Sequence, residues 1–598
     1  MSTLTSYQVV AAMGTLAVLA VLNYIGDVGQ DIQFVREITY WLSISGRSHQ
    51  FIEGMICSED VIYFLVVIGL FISLSILKLQ SERQKRFWVK TWSRYAGVVA
   101  LALLIGFGSS RPKLIYYYDS TTTKVNTLTE ASQEIMKKLD GGLKITTYVN
   151  MLDPNYTSAV PSQMKFDFER FIRYIRFKPE IEMEYVYYYD KTENPSLDER
   201  FPGLSDKEKA EKLCKILEMD FKMLLSPEEI KRVIDLSGEG NHFVRVLERE
   251  NGQKSFLRLY DDNQKHPSEM EISAALKRFI VKSPRVAFLT GHDERDIEKT
   301  GDRDYNHFAE SIYFRYSLIN QGFDVIRLNL SDENIPEDID IIVVADMKTA
   351  LSAEEEQKLD HYIGRGGNLF ILGDTRRQEV MNPLVEKFGV RFMPGTLVQQ
   401  SEEYIPSLIV GNITEEAAEK FPTYFFPYNY GYKITMPEAV ALDFNADKGF
   451  EMCPVIRTKD QGCWNELETT DFLDGQVVLN ESVGEVEKSW PTVMALSRKV
   501  GDKEQRLVVS GDADCISNGE LDKARNGIGA SNFTLITGTF KWLSYGEYPL
   551  DTERPTSPDN EVYLGRSVRS WIKFAYMGAV PFLLALAGIA IWVRRKGR

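Results

Sequence analysis

Acidic residues recur where four buried strands are predicted to end, and they are the residues of this sequence best suited to chemistry. Each strand is a short run of Val, Ile, Leu and Phe, which is typical of a parallel sheet covered on both faces. The carboxyl ends of such strands meet at one edge, where ligands usually bind. The candidate residues at that edge are His292, Asp293, Glu294, Asp346, Asp374, Asp512 and Asp514.

This group has two interpretations. Clustered carboxylates could bind Mg²⁺ or Ca²⁺, and with His292 they could provide acid–base catalysis. Alternatively, each acid caps the helix that follows it and interacts with the helix dipole. We favour capping, because a functional site requires the fold to bring all four loops together. The group is therefore a candidate binding site, and we predict no catalytic residue, metal or cofactor.

Other motifs are informative because they are missing. The sequence contains no G-x-x-x-x-G-K-[ST] loop for binding nucleotide phosphates. No G-x-S-x-G elbow follows a strand, and Cys515 is flanked by Asp514 and Ile516 instead of glycines, which is unlike a nucleophile. Five cysteines without C-x-x-C or paired histidine spacing indicate neither a zinc site nor a disulfide framework. Cys453 and Cys463 could pair in an oxidising compartment or remain free thiols.

The elements that position these residues fall into two parts. In residues 111–280, helices alternate with strands and a ribbon, predicted at 143–149, 181–189, 242–247 and 254–260. In residues 281–550, the predicted strands are 285–290, 324–330, 340–345, 368–372 and, late in the chain, 506–510. Helices are predicted at 305–320, 352–363 and 532–543. We interpret the second part as an α/β domain with a doubly wound parallel sheet, interrupted by an insertion at about 381–500.

Apolar residues are concentrated toward the two ends of the chain. Overall, 44% hydrophobic and 26% charged residues are typical of folded protein, and 598 residues are too many for one core. Four apolar runs predict transmembrane helices, although the third reaches the usual ~17 residues only with its flanking residues. The predicted spans are about 7–25, 61–79, 92–110 and 574–593. No Lys or Arg precedes the first run, so we expect a retained helix and no cleaved signal peptide.

Basic residues set the predicted orientation. Residues 83–94 carry five Lys or Arg, and the tail at 594–598 has only basic charges, so both belong in the cytoplasm. With four spans, the long middle segment then lies in the periplasm, anchored in a bacterial inner membrane. If the third run lay flat in the interface, that segment would be cytoplasmic instead. The first 110 residues carry +1 and the last 28 carry +5 of the total −15, so the middle carries −21. This acidity argues against nucleic acid as a partner.

Several short stretches occur in a distinctive order over about residues 111–595. They are 119–149, with Thr123, Lys124, Asn126, Thr127, Leu128 and Thr129 before a helix and Gly-Gly, then 289–294, 336–345, 351–369, 509–514 and 542–544. In this order they resemble the GldG family, auxiliary proteins of ABC transport systems linked to gliding motility. The resemblance implies that the sheet part is similar to amidotransferase-like domains that have lost their nucleophile, consistent with the missing elbow.

The first 80 residues depart from the single N-terminal anchor of that family. Residues 51–56, residues 61–64 and the basic stop after Leu79 resemble the last helix pair of a type-2 ABC exporter permease, with its amphipathic outer loop. The resemblance implies a permease tail fused to a GldG-like ectodomain. Such a tail could not form a translocation path alone, so the missing helices would come from another polypeptide.

The predicted organisation is a membrane region at 1–110, ectodomain parts at 111–280 and 281–550, a linker at 551–573, a helix at 574–593 and a basic tail at 594–598. We expect a non-catalytic auxiliary component of an ABC-type export or gliding-linked transporter. Its expected partners are an ABC ATPase subunit, a permease subunit, membrane lipids and an envelope protein or cargo. The alternatives are an envelope scaffold without a transport role, or a periplasmic metal-dependent hydrolase or lyase using His292, Asp374, Asp512 and Asp514.

Overall fold

The computed structural model describes residues 7–25, 39, 44–83, 87–111, 114–475, 477–555 and 565–596. Several predicted segments lie partly outside these residues. They are the loop at 26–60, described only at 39 and from 44 on, the basic loop at 83–94, described except at 84–86, the linker at 551–573, described except at 556–564, and the tail at 594–598, described except at its last two residues.

Within the described residues, three helical segments are long and apolar enough to cross a membrane: Ser58–Ser81, Trp88–Ser109 and Val568–Lys596. The weakest predicted span is thus a continuous helix of 22 residues, Trp88–Ser109. The first predicted span forms a shorter apolar helix of 17 residues, Gln8–Tyr24, so the four-span topology stays a prediction. The C-terminal helix begins at Arg566, inside the predicted linker, and contains a π-helical turn at Ala575–Ala579 before Val580–Lys596.

A two-stranded ribbon joins the start of one apolar helix to the end of the next. Strand β1 (Met55–Cys57) precedes the helix Ser58–Arg83, and strand β2 (Tyr117–Asp119) follows the helix Trp88–Ser109. The two strands pair antiparallel. Beside them, the Ser120 N–H and hydroxyl both donate to the Gly54 carbonyl, at 2.8 and 2.7 Å. The ribbon therefore closes the helix pair at one end.

The helix Ile44–Ile52 is held against the start of the longer apolar helix by ion pairs. Arg47, which is buried, lies 2.7 Å from Asp60 and 2.9 Å from Glu59. Its guanidinium also stands over the Tyr63 ring, 4.7 Å from the centroid. A buried arginine with two carboxylate partners fixes this short helix in place.

The first α/β part, after the apolar helices, is a five-stranded sheet among the described residues. Its strands are β3 (Leu143–Asn150), β4 (Ile181–Tyr188), β5 (Leu224–Leu225), β6 (Val244–Arg249) and β7 (Lys254–Arg258). They lie in the order β5-β4-β3-β6-β7, with β3, β4 and β5 parallel and the β6–β7 ribbon antiparallel. The helices of this part are Glu130–Lys138, Met164–Phe177, Pro195–Arg200, Asp206–Ile216, Pro227–Val233 and Glu269–Lys277.

The second part contains the large sheet that carries the candidate site. Its parallel strands are β8 (Arg285–Thr290), β9 (Asp324–Asn329), β10 (Ile341–Ala345), β11 (Asn368–Leu372) and, far along the chain, β20 (Lys503–Ser510). They lie in the order β9-β8-β10-β11-β20. This is the doubly wound order 2-1-3-4-5, whose topological switch point lies between β8 and β10. The predicted late return of a parallel strand is confirmed.

Alternate residues of these strands enter cores on opposite faces of the sheet. Val343 and Phe370 belong to one core, whereas Val344 and Ile371 belong to the other. The helices Ala353–Gly364 and Gln378–Val385 cover the second face, and Asn532–Leu543 covers the first. Burial on both faces explains why these strands read as continuous apolar runs in the sequence.

The insertion extends the same sheet with antiparallel strands. Its strands are β12 (Val390–Phe392), β13 (Thr396–Gln399), β14 (Leu408–Ile413), β15 (Lys433–Pro437), β16 (Leu442–Phe444), β17 (Glu451–Arg457), β18 (Cys463–Glu466) and β19 (Pro491–Val500). Outward from β20, the strands lie in the order β19-β17-β14-β15. Strand β14 pairs with β17 only through Asn412 and Ile413, so Leu408–Gly411 and its partner β15 project beyond the carboxyl end of β17. They form a wall above the strand-end edge. The short helices Glu415–Lys420, Pro422–Asn429 and Asn518–Leu521 complete this part.

The prediction of a helix at 305–320 is wrong. Only Asn306–Ala309 is helical, and the following chain packs irregularly, with Phe308 and Leu318 buried. The Asn320 side-chain amide donates to the carbonyls of Ser311, Ile312 and Phe314. The Asn320 side chain thus satisfies three backbone carbonyls of a non-helical segment. The local pattern of apolar residues gives no sign of this contact.

Candidate functional site

A buried arginine, Arg295, lies at the centre of the strand-end acids. Its Nη2 atom is 2.8 Å from Asp374 Oδ2, 2.9 Å from Asp514 Oδ1 and 3.2 Å from Asp346 Oδ2. Arg295 follows β8, and the aspartates follow β10, β11 and β20, so all four loops converge. The fold thus brings three predicted acids together, but around a guanidinium.

Two further arginines complete this group. Arg303 Nη2 is 2.7 Å from Asp374 Oδ2 and 2.9 Å from Asp514 Oδ2, and Arg377 Nε is 2.9 Å from Asp346 Oδ1. We call Arg295, Arg303, Arg377, Asp346, Asp374 and Asp514 the strand-end network. Its three carboxylates are matched by three guanidinium groups, an arrangement that neither sequence interpretation included. Among the described residues, no group of three or more His, Cys, Asp or Glu side chains could hold a metal ion.

Burial shifts the proton affinity of two acids in and beside the network. Burial raises the pKa of Asp374 to about 6, and the negative charges of Asp346 and Asp514 act in the same direction. Asp512 is completely buried, and its Oδ1 accepts the Asp514 N–H at 2.7 Å. Burial raises the pKa of Asp512 well above its usual value, with the Asp514 charge acting alongside, which favours the uncharged acid. Asp512 therefore lies next to the network in surroundings that disfavour a further negative charge.

The backbone at the strand ends is strained. Asp293, Asp346 and Arg376 have φ angles of 55°, 55° and 61°, in the left-handed region that residues other than glycine rarely adopt. At Asp346 this conformation accompanies an N–H bond of 2.9 Å to the Leu372 carbonyl on the neighbouring strand end. Residues held this way persist only where the surrounding structure fixes them, and they cluster at functional sites.

His292 is part of a different cluster. Its Nδ1 lies 2.8 Å from Thr349 Oγ1 and its Nε2 lies 3.2 Å from Glu355 Oε1. Glu355 forms a capping box with Ser352 at the start of Ala353–Gly364. Hydrogen bonds from Ser331 and Ser352 lower the pKa of Glu355 to about 2. The capping box is thus made by Glu355, which is not one of the predicted strand-end acids, and His292 contacts that capping residue.

The remaining candidates stay within the loop after β8. Glu294 Oε2 accepts the His292 N–H at 2.7 Å, and burial raises the pKa of the Glu294 carboxyl. Asp293 is exposed. The described structure therefore divides the predicted cluster into the arginine-bound aspartates and a separate loop that contains His292.

Sequence reasoning missed the arginines. Arg295 directly follows the Gly291–Glu294 stretch, and Arg377 lies three residues after Asp374, so both are in the loops that had been singled out. The signal that could have found them is opposite charge within these loops, since several buried carboxylates need cationic partners.

Cys515, next to Asp514 in the chain, lies in surroundings that disfavour a reactive thiolate. Cys515 is fully buried and its Sγ lies 3.2 Å from the Asp512 carbonyl. Burial raises the pKa of this thiol well above its usual value, which disfavours the thiolate. Cys453 and Cys463 are free and buried, so they do not form the disulfide considered from the sequence.

Known proteins resemble parts of this chain. Residues 283–539 match a family model of ABC transport auxiliary proteins, described as an ABC-type uncharacterized transport system. This match supports an accessory role in ABC-type transport. No curated protein matches the sequence.

Two solved structures show weak similarity. The N-terminal domain of mmIFT52 is 14% identical with a TM-score of 0.30, over 44% of this chain and 98% of that one. A ThuA-like protein from Parabacteroides merdae is 9% identical with a TM-score of 0.24, over 42% of this chain and 99% of that one. Both likenesses are too weak to carry an argument about function.

Proposed function

We propose that this protein is a non-catalytic, membrane-anchored auxiliary subunit of an ABC-type export complex of the GldG kind, linked to gliding or a related envelope process. In this proposal the apolar helices before residue 110 act as a permease tail and bind the permease and ATPase subunits. The large α/β part lies in the periplasm and binds a partner or cargo. Its sheet is related to amidotransferase-like domains that have lost their nucleophile.

The match of residues 283–539 to an ABC transport auxiliary family is the observation that carries the proposal. The strand-end network supports the non-catalytic role, because three arginines already occupy the carboxylates that a metal or a substrate proton would need. Three helices suited to a membrane support the anchoring.

Co-purification tests the association. When the full chain is extracted in a mild detergent, we expect it to bring an ABC ATPase and a permease with it. A variant in which Ser58–Ser81 is replaced by an unrelated apolar helix should lose both. Recovery of the unaltered chain alone, under conditions that preserve other ABC complexes, would favour an envelope scaffold instead.

Cysteine labelling tests the proposed orientation. Lys215 and Lys90 are both exposed, and the five native thiols are buried, so background labelling should be low. After the outer membrane is opened, Lys215→Cys should react with a membrane-impermeant reagent and Lys90→Cys should not. The reverse pattern would place the α/β part in the cytoplasm.

A further inference from the structure

A cavity of about 350 Å³ lies beside the strand-end network. Arg303 and Asp514 form one side, and the wall made by β14 and β15 contributes Leu408, Pro437 and Glu438. Lys523 and Arg525 line it from the chain that follows the short helix Asn518–Leu521. This volume is at the lower end of ligand pockets and would hold roughly ten water molecules at liquid density, so it suits a small molecule.

Three cations in this lining keep hydrogen-bond donors unused. In the described part of the chain, Arg303 bonds its carboxylate partners through Nε and Nη2, and its Nη1 has no partner. Arg525 binds Glu520 through Nε and Nη2, again leaving Nη1 without one. Lys523 is exposed, and its Nζ has no hydrogen-bond or ion-pair partner among the described residues. Lysine and arginine side chains have hydrogen-bond donors and no acceptors, so a ligand that bonds to these groups must supply the acceptor atoms.

Two of the cations are held in place before any ligand arrives. The buried Glu520 carboxylate accepts hydrogen bonds from Nε and Nη2 of Arg525 and from the Thr435 hydroxyl. Arg303 is fixed by two aspartates, although its side chain remains 61% exposed. A guanidinium fixed in this way loses little conformational entropy on binding, which favours recognition of a planar or tetrahedral anion.

The acids of the lining do not offer a comparable cation site. Asp514 is already bonded to Arg295 and Arg303. Glu438 is exposed, with a φ angle of 59°, and its carboxylate has no partner among the described residues. The lining therefore offers unused hydrogen-bond donors on three side chains and one carboxylate without a partner among the described residues, which favours a ligand rich in acceptor oxygens.

From this arrangement we propose that the cavity binds the acidic group of a small organic anion, a carboxylate or a phosphate. The acidic group accepts from Arg303, Lys523 and Arg525. Leu408 and Pro437 contact the body of the ligand, and Glu438 accepts from its hydroxyl or ammonium groups. This site does not depend on the transport role, since it follows from the cavity alone.

Binding is tested on the full chain in detergent with two probes, inorganic phosphate followed by phosphorus NMR and trifluoroacetate followed by fluorine NMR. We expect saturable line broadening with at least one probe at low ionic strength. Broadening by phosphate alone would identify a phosphoryl ligand, and broadening by trifluoroacetate alone a carboxylate. Absence of broadening with both probes would overturn the proposal, whatever the result of co-purification.

Charge changes in the lining give opposite expected signs. Lys523→Glu should weaken probe binding about tenfold, whereas Glu438→Gln should tighten it about threefold by removing like-charge repulsion. Lys499→Glu is the matched control, because Lys499 is exposed on β19, outside the cavity, and should leave binding unchanged. Equal losses in both lysine variants would mean non-specific attraction and would contradict the site.

Discussion

The two α/β parts each bury an arginine, and the two arginines differ in their partners and in what lies beside them. In the first part, Arg245 is fully buried and forms an ion pair with one carboxylate, Asp167. Its Nε and Nη1 have no partner in the described structure, and the rings of Phe171 and Phe243 face its guanidinium. In the second part, Arg295 has three aspartate partners and adjoins a cavity through Arg303 and Asp514.

The difference lies in what surrounds each charge. Arg245 lies on β6 and is enclosed by the helix Met164–Phe177 and aromatic rings, so its ion pair with Asp167 is part of the core. Arg295 stands at the switch point of a doubly wound sheet, where loops end and ligands usually bind. An enclosed pair can be exchanged as a unit for apolar side chains, whereas removal of one partner leaves the other charge buried and unpaired.

The largest effect is expected at the enclosed pair. Arg245→Met leaves the buried Asp167 carboxylate with the Tyr185 hydroxyl at 3.1 Å and Arg170 at 3.9 Å. We expect the free energy of unfolding to fall by about 3–5 kcal/mol in chemical denaturation of the full chain in detergent. The double variant Arg245→Met/Asp167→Leu should recover most of that loss, because no unpaired charge remains. A double variant no more stable than the single one would break the comparison.

An intermediate effect is expected from the pH dependence of the strand-end network. The folded pKa of Asp374 is about 6, above the unfolded value of ~3.9, so between these pH values the folded state holds a proton that the unfolded state has released. The free energy of unfolding therefore falls as pH rises from ~4 to ~6, by about 1–3 kcal/mol in total. Denaturation across this range should show the fall in the wild type and a smaller one in Asp374→Asn. Parallel curves for the two proteins would contradict the assignment.

The smallest effect is expected at His292. His292→Ala removes the contacts to Thr349 and Glu355, which should cost about 1 kcal/mol of unfolding free energy. Because His292 lies outside the strand-end network, phosphate and trifluoroacetate binding should not change. Thr349→Val, which removes only the partner hydroxyl, serves as the control and should cost no more. Loss of probe binding in His292→Ala would return this histidine to the site.

The sequence carried enough information to predict the central strands and the edge where their loops converge. Strands buried on both faces leave uniform apolar runs, and β20 was recognisable despite its distance along the chain because Leu507–Val509 repeats that pattern. The acids at the strand ends were visible for the same reason, since they interrupt such runs abruptly.

What could not be predicted depends on contacts between distant segments. The ion pairs of Arg295 and Arg303 form only when the loop after β8 folds back over three other strand ends. The insertion joins the large sheet through the pairing of β19 with β20. The local sequence of β19 does not indicate which strand it will pair with. The cavity wall depends on the register in which β14 pairs with β17, so the sequence did not predict the wall either.

The ribbon of β1 and β2 has a mechanical consequence. It binds the chain just before one apolar helix to the chain just after the next one, so the helix pair and the base of the α/β part share a common hydrogen-bonded brace. The two helices cannot slide past each other at this end without breaking the hydrogen bonds between β1 and β2. The ribbon therefore holds the start of one apolar helix, the end of the next and the first residues of the α/β part in one hydrogen-bonded unit.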